Sequence, residues 1–137
     1  MAAVANSHIR PQSWRTENAV CTAAKTTYSN STNAVKLLDA DADGSWVTDL
    51  YAMPRDTVTA NQLQVYRSPD DGTTMYLVDS ALMGAYTMAQ TTAVPVTELT
   101  KATEAEPLKL DNGESLWVGV GVALAAGIVF TAKVGDL

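Results

Sequence analysis

The chain has 137 residues, of which 47% are apolar and 18% charged, and its formal net charge is −6 at pH 7. This length suits one domain with a sizeable core, and the acidic balance disfavours nucleic-acid partners because phosphates attract Lys and Arg. A single cysteine, Cys21, excludes an internal disulfide and therefore a disulfide-stapled scaffold. No apolar run has the form of a signal peptide or a membrane span, so we expect assembly in the cytoplasm and no membrane partner.

Residues 1–31 are rich in Ala, Ser, Thr and Asn and show no sustained period, which predicts an extended N-terminal arm. Trp14 is the largest of the scattered apolar residues in this arm. It either folds back onto its own domain or anchors a neighbouring chain, because Trp is enriched at interface hot spots. Together with Ile9, Arg10 and Arg15, Trp14 forms the predicted partner-binding set.

Residues 32–137 form a series of short strand patterns separated by turn signals. This spacing predicts an all-β, antiparallel sandwich, jelly-roll-like, with about eight strands. The polar connection 89–106, which contains Pro95, is expected to hold at most a short strand or one helical turn near residues 98–103. The predicted strands are residues 34–38, 46–53, 62–67, 74–79, 82–88, 108–110, 115–122 and 128–134.

The end of the chain carries the clearest pattern. Apolar residues alternate with Trp and Gly in residues 116–122, a period of two that indicates a strand, and glycines would each cost about 1 kcal/mol inside a helix. Turn residues at 68–72, 111–113 and 125–127 predict tight hairpins between flanking strands. The residues expected to face the core are Leu116, Val118, Val120, Val122, Ile128 and Phe130.

An acidic loop offers one candidate cation site. Asp39, Asp41 and Asp43, followed by Gly44, match the opening of an EF-hand loop, in which alternate carboxylates converge on a hard cation. Position twelve of that loop would be Leu50, which cannot bind a cation, and the flanks read as strands, so an EF-hand is excluded. A weak cation site of another kind stays open, but a solvated acidic hairpin loop is favoured, and we predict no metal site.

No constellation of catalytic residues can be placed on the sequence. The single histidine, His8, lies in the arm, and Cys21 has no local partner for nucleophilic catalysis. Glu104 and Glu106 lie in a loop, where a glycosidase pair cannot be inferred from them. We therefore predict that the protein is not an enzyme and needs no cofactor.

The order of strands and turns in residues 32–137 resembles that of small β-sandwich virion proteins encoded by tailed bacteriophages. The resemblance is one of strand order and turn chemistry, and the arm lies outside it. The segments that carry it are residues 33–38 with 43–47, residues 63–68 with the turn at 71–73 and residues 76–78, residues 107–110 with 113–118, and residues 129–136.

The resemblance implies a role in structure and assembly and carries over no catalytic residues. The leading hypothesis is a capsid decoration or cement protein, a homotrimer that binds the major capsid protein on the head surface of the virion. The alternative is a tail, collar or fibre module that contacts another virion protein or a host glycan. Aromatic residues that could form a glycan platform, or could equally be ordinary strand packing, are Trp46, Tyr51, Tyr66, Tyr76 and Tyr86.

Overall fold

The computed structural model describes residues 10–137, and these residues form nine β-strands in two antiparallel sheets. They contain no helix long and apolar enough to cross a membrane. The strands are β1 (Ser13–Cys21), β2 (Val35–Asp39), β3 (Ser45–Pro54), β4 (Asn61–Ser68), β5 (Tyr76–Met83), β6 (Thr97–Glu98), β7 (Leu108–Leu110), β8 (Ser115–Val120) and β9 (Ile128–Asp136).

The two sheets have different strand orders. Sheet A has the order β1-β9-β3-β6, and β7 also pairs with β3, whereas sheet B has the order β2-β8-β4-β5. In sheet A, β9 is the strand between β1 and β3, and it pairs with both along its whole length. The predicted all-β sandwich is confirmed, and the finer jelly-roll arrangement stays a prediction.

Alternate residues of both sheets meet in one apolar core. Five of the six residues predicted to face the core are fully buried. The sixth, Val122, is 45% exposed, because β8 ends at Val120 and the chain leaves the sheet before reaching it. The buried five are Leu116, Val118 and Val120 on β8, with Ile128 and Phe130 on β9.

Two of the predicted hairpins are connections between the sheets. The turn at residues 111–113 leads from β7 in sheet A to β8 in sheet B, and the turn at 125–127 leads back to β9 in sheet A. Gly113 and Gly127 do adopt positive φ, at 86° and 88°, so the turn chemistry was predicted correctly and the pairing was not. Within residues 10–137, β4 and β5 are the only consecutive strands that pair with each other, across the predicted turn at 68–72.

The structure differs from the prediction that residues 1–31 form an arm outside the sandwich. Residues 13–21 form β1, which pairs with β9 from Ser13↔Asp136 to Cys21↔Ile128 and is therefore part of sheet A. Only Ala19 and Cys21 of this strand are buried, so its sequence shows no sustained alternation of apolar and polar residues. The pairing strand β9 lies more than a hundred residues away, and local sequence carries no sign of it.

The predicted strand at residues 82–88 is also corrected. Leu82 and Met83 belong to β5, which continues past the predicted end at residue 79. Beyond them, Tyr86 forms an isolated antiparallel bridge with Val58. In the long connection that follows, the expected short strand is present as β6, at residues 97–98.

Candidate docking groove

A groove with a volume of about 670 Å³ lies on the solvent-facing side of sheet A, beside the loop that follows β6. Four separate strands contribute to its walls. The loop completes them with Leu99, Thr100, Ala102, Thr103 and Glu104. The strand residues that line the groove are Trp14 on β1, Thr48 and Asp49 on β3, Glu98 on β6 and Lys133 on β9.

The pairing registers bring these residues together. Lys133 lies opposite Asp49, Glu98 lies opposite Tyr51 two residues further along β3, and Trp14 lies opposite Gly135. A β-bulge interrupts the register of β3 between Val47 and Asp49, so that Thr48 and Asp49 both remain partly exposed. Bulges often redirect side chains in this way, and here the bulge adds two polar groups to one groove.

The ring of Trp14 rests against the sheet and is nevertheless 60% exposed. A side chain at Gly135 would displace it, since a Cβ built there would lie 2.9 Å from Cζ3 of Trp14 and 2.5 Å from Cβ of Pro11. The glycine therefore leaves the space in which the indole is held. An aromatic side chain that is positioned in advance loses little conformational entropy when a partner covers it.

The loop that forms the far wall is fixed to the sandwich. The backbone N–H of Leu99 donates to the carbonyl of Leu50 at 2.9 Å, and the N–H of Lys101 donates to Oδ2 of Asp79 at 3.0 Å. The side chains of Leu99 and Ala102 are buried below the groove and belong to the apolar core. Backbone hydrogen bonds and core packing therefore hold this wall of the groove against the sandwich.

The groove carries an excess of negative charge. Its carboxylates belong to Asp49, Glu98 and Glu104, and Lys133 is the one basic residue among those that line it. Nζ of Lys133 lies 3.8 Å from Oδ2 of Asp49, so the lysine forms an ion pair with that carboxylate. Burial, together with the neighbouring Asp49 carboxylate, raises the pKa of Glu98 above its ordinary value.

We expect Glu98→Gln to stabilise the fold slightly at neutral pH. Because the pKa of Glu98 is higher in the folded chain than in the unfolded one, the folded state binds more protons just above pH 4.5. Stability therefore falls as the pH rises through that window, and replacement by a neutral amide removes the cost. Thermal melts of both proteins from pH 4 to pH 8 would check this; a lower melting temperature for the variant at pH 7 would contradict it.

The predicted partner-binding residues lie in different environments. Ile9 lies outside the described residues, Arg10 is exposed, and Trp14 lines the groove. Arg15 is engaged within the sandwich, since its Nε donates to Oδ2 of Asp136 at 3.0 Å and its Nη2 donates to the carbonyl of Asp39 at 2.6 Å. Partner binding by these residues stays a prediction, and Trp14 is the one that the structure places beside a cavity.

The aromatic residues considered as a glycan platform do not share one surface. Tyr66 is fully buried, whereas Tyr76 is exposed on β5 in sheet B. Trp46 and Tyr51 are half-buried on β3 in sheet A, and Nζ of Lys109 lies 4.9 Å from the centre of the Trp46 ring. The exposed aromatic ring beside the groove is that of Trp14.

The acidic loop at residues 39–44 is engaged in ion pairs and turn hydrogen bonds. Nζ of Lys36 lies 3.1 Å from Asp39 and also pairs with Asp71, and these two carboxylates raise the pKa of Lys36. The backbone N–H of Asp41 donates to Oγ of Ser45 at 2.8 Å. Across residues 10–137, no group of three or more His, Cys, Asp or Glu side chains is placed to hold a metal ion.

Cys21 is buried in the core at the end of β1. Burial raises the pKa of its thiol to about 12, and Sγ lies 3.5 Å from the carbonyl oxygen of Val118. The reactive form of cysteine is the thiolate, so this side chain acts as a small apolar residue.

Comparison with models of protein families, with curated proteins and with solved structures gave no match. No family is therefore assigned to the chain.

Proposed function

We propose that the protein is a structural binding module of a phage virion, a capsid decoration or cement protein, that docks through the groove on sheet A. The observation that carries the docking role is Trp14, whose indole is 60% exposed and packs against Gly135 at the edge of the groove. Trp is among the residue types that most often dominate binding energy at protein interfaces. The virion setting rests on the resemblance of strand order and turns described above.

The proposed partners are the major capsid protein and further copies of the same chain in a homotrimer on the virion head. Sheet A presents the groove to the shell, which leaves sheet B for contacts between subunits. The edge strand β5 in sheet B exposes apolar side chains, with Leu82 70% exposed. An exposed apolar edge strand is a favourable surface for association, and contact between subunits would cover it.

Replacing Trp14 with alanine should weaken attachment to shells that lack this protein by about tenfold or more, which is about 1.4 kcal/mol or more of binding free energy. The variant should fold, because Trp14 lies outside the apolar core. Co-sedimentation of the purified protein with such shells measures the change. Tyr28→Ala is the matched control, since Tyr28 is also an exposed aromatic residue but lies outside the groove. Full attachment of the Trp14 variant would remove the groove from the docking surface.

The tail, collar or fibre role remains a second candidate, because the groove also combines an aromatic ring with carboxylates and the hydroxyls of Thr48 and Thr103. Sugar rings bind in such arrangements through stacking and hydrogen bonds. Copy number in purified virions separates the two roles. A decoration protein is expected at an abundance close to that of the major capsid protein, whereas a fibre or collar protein is expected at a small fraction of it.

A further inference from the structure

We infer that the groove on sheet A binds an arginine side chain of the partner protein, with the guanidinium stacked on the ring of Trp14 and its charge balanced by the carboxylates that line the groove. This inference rests on the proposed docking function and names the chemistry of the partner.

Charge is the first argument. Three carboxylates line the groove, and the one lysine among the lining residues lies 3.8 Å from Asp49. Among residues 10–137, neither Glu98 nor Glu104 forms an ion pair, and Lys133 offsets the charge of Glu98 only in part. A cation from outside would supply that balance, and it would approach an acidic protein with a formal net charge of −6.

The exposed indole selects arginine over lysine. A guanidinium is planar, is more weakly hydrated than an ammonium and stacks on aromatic faces, and its N–H groups form a fork that fits carboxylates. A groove with an aromatic ring on one wall and carboxylates nearby provides both kinds of contact. A lysine ammonium would make the charge contact but would stack less favourably on the indole ring.

The pair of Asp49 and Glu98 adds an independent argument. Desolvation of Glu98, followed by repulsion from the Asp49 carboxylate, raises the pKa of Glu98. Lys133 lowers the pKa of Glu98 by less than the other effects raise it. A like-charge contact of this kind costs stability in the free protein, and a bound cation would relieve it.

The inference can be tested with short, capped peptides and NMR spectroscopy of the whole protein. One peptide carries two arginines separated by glycine, and its matched control carries citrulline, which has the same shape without the charge. The arginine peptide should shift the indole N–H signal of Trp14 and the amide signals of Glu98 and Glu104, with a Kd on the order of 1 mM. The citrulline peptide should bind at least about tenfold more weakly, and added salt should weaken the arginine peptide further.

Two variants make the test specific. Trp14→Phe identifies the indole signal, and Glu98→Gln should weaken the arginine peptide by about threefold to tenfold while leaving the fold intact. Equal binding of the citrulline peptide, or a response to a neutral oligosaccharide in place of the peptides, would overturn the inference. If the arginine inference were overturned but Trp14→Ala still lost attachment to shells, the proposed docking function would stand. If the arginine peptide bound but Trp14→Ala attached normally, the docking function would fail and the ligand preference would stand.

Discussion

Replacing Phe130 with alanine should lower the free energy of unfolding by about 3–5 kcal/mol. Phe130 is the only phenylalanine of the chain, its side chain is fully buried, and it lies on β9, which pairs with β1 on one side and β3 on the other. Truncation removes apolar contacts and leaves a cavity that close-packed neighbours fill only in part. A domain of this size has a total stability of about 5–15 kcal/mol, so the loss is a large share of it.

Denaturant unfolding of the wild-type protein and the variant measures this change. Phe130→Leu is the matched variant, because it retains most of the buried volume and should cost less than about half as much as the alanine. Thr131→Ala, at the next position of β9 on the opposite face, should change stability by about 0.5 kcal/mol or less. An alanine variant as stable as the wild type would show that Phe130 does not face the core.

The strands of residues 32–137 could largely be predicted because their apolar residues alternate or lie between clear turn signals. Leu116 and Val118 face inward as expected, since β8 keeps the period of two over its whole length. Val122 could not be placed correctly, because nothing local marks the end of a strand within an apolar stretch. The sequence also could not predict which sheet each strand joins. A glycine with positive φ occurs both in hairpin turns and in connections between sheets, so the turn residues do not distinguish the two.

The groove could be predicted only in part. Trp14 was identified from its residue type, because an isolated Trp in a polar segment is unusual. Asp49, Glu98 and Lys133 were not identified, since they come from three strands that are far apart in sequence and meet through the registers of sheet A. The bulge at Thr48 gives no local signal either, although it helps to place Asp49 beside Lys133. Deleting the chain up to residue 20 would remove most of β1, so point substitutions are the appropriate probes of Trp14.

A buried lysine closes the loop between β1 and β2. Lys25 is 1% exposed, and its Nζ donates to the carbonyl of Asn30 and, at 3.3 Å, to that of Thr32. The ammonium lies 5.0 Å from the centre of the Tyr66 ring, a cation–π contact. Gly119 leaves the space for this side chain, because a Cβ built there would lie 2.9 Å from Cδ of Lys25.

Lys25→Met should lower the free energy of unfolding by about 1.5–3 kcal/mol, because it keeps the apolar stem and removes charge-assisted hydrogen bonds. Hydrogen exchange should also become faster in residues 26–33, whose loop the ammonium holds. Lys101→Met is the matched control, since Lys101 is exposed and its change should cost about 0.5 kcal/mol or less.

The pH dependence of stability gives a second measurement of the same buried amine. Burial lowers the pKa of Lys25 below its ordinary value of 10.5, so the unfolded chain binds this proton where the folded chain has released it. The stability of the wild type relative to Lys25→Met should therefore rise with pH in the window below 10.5. Denaturant titrations of both proteins across that window measure the difference, and a constant or falling difference would contradict the burial of a charged amine at this position.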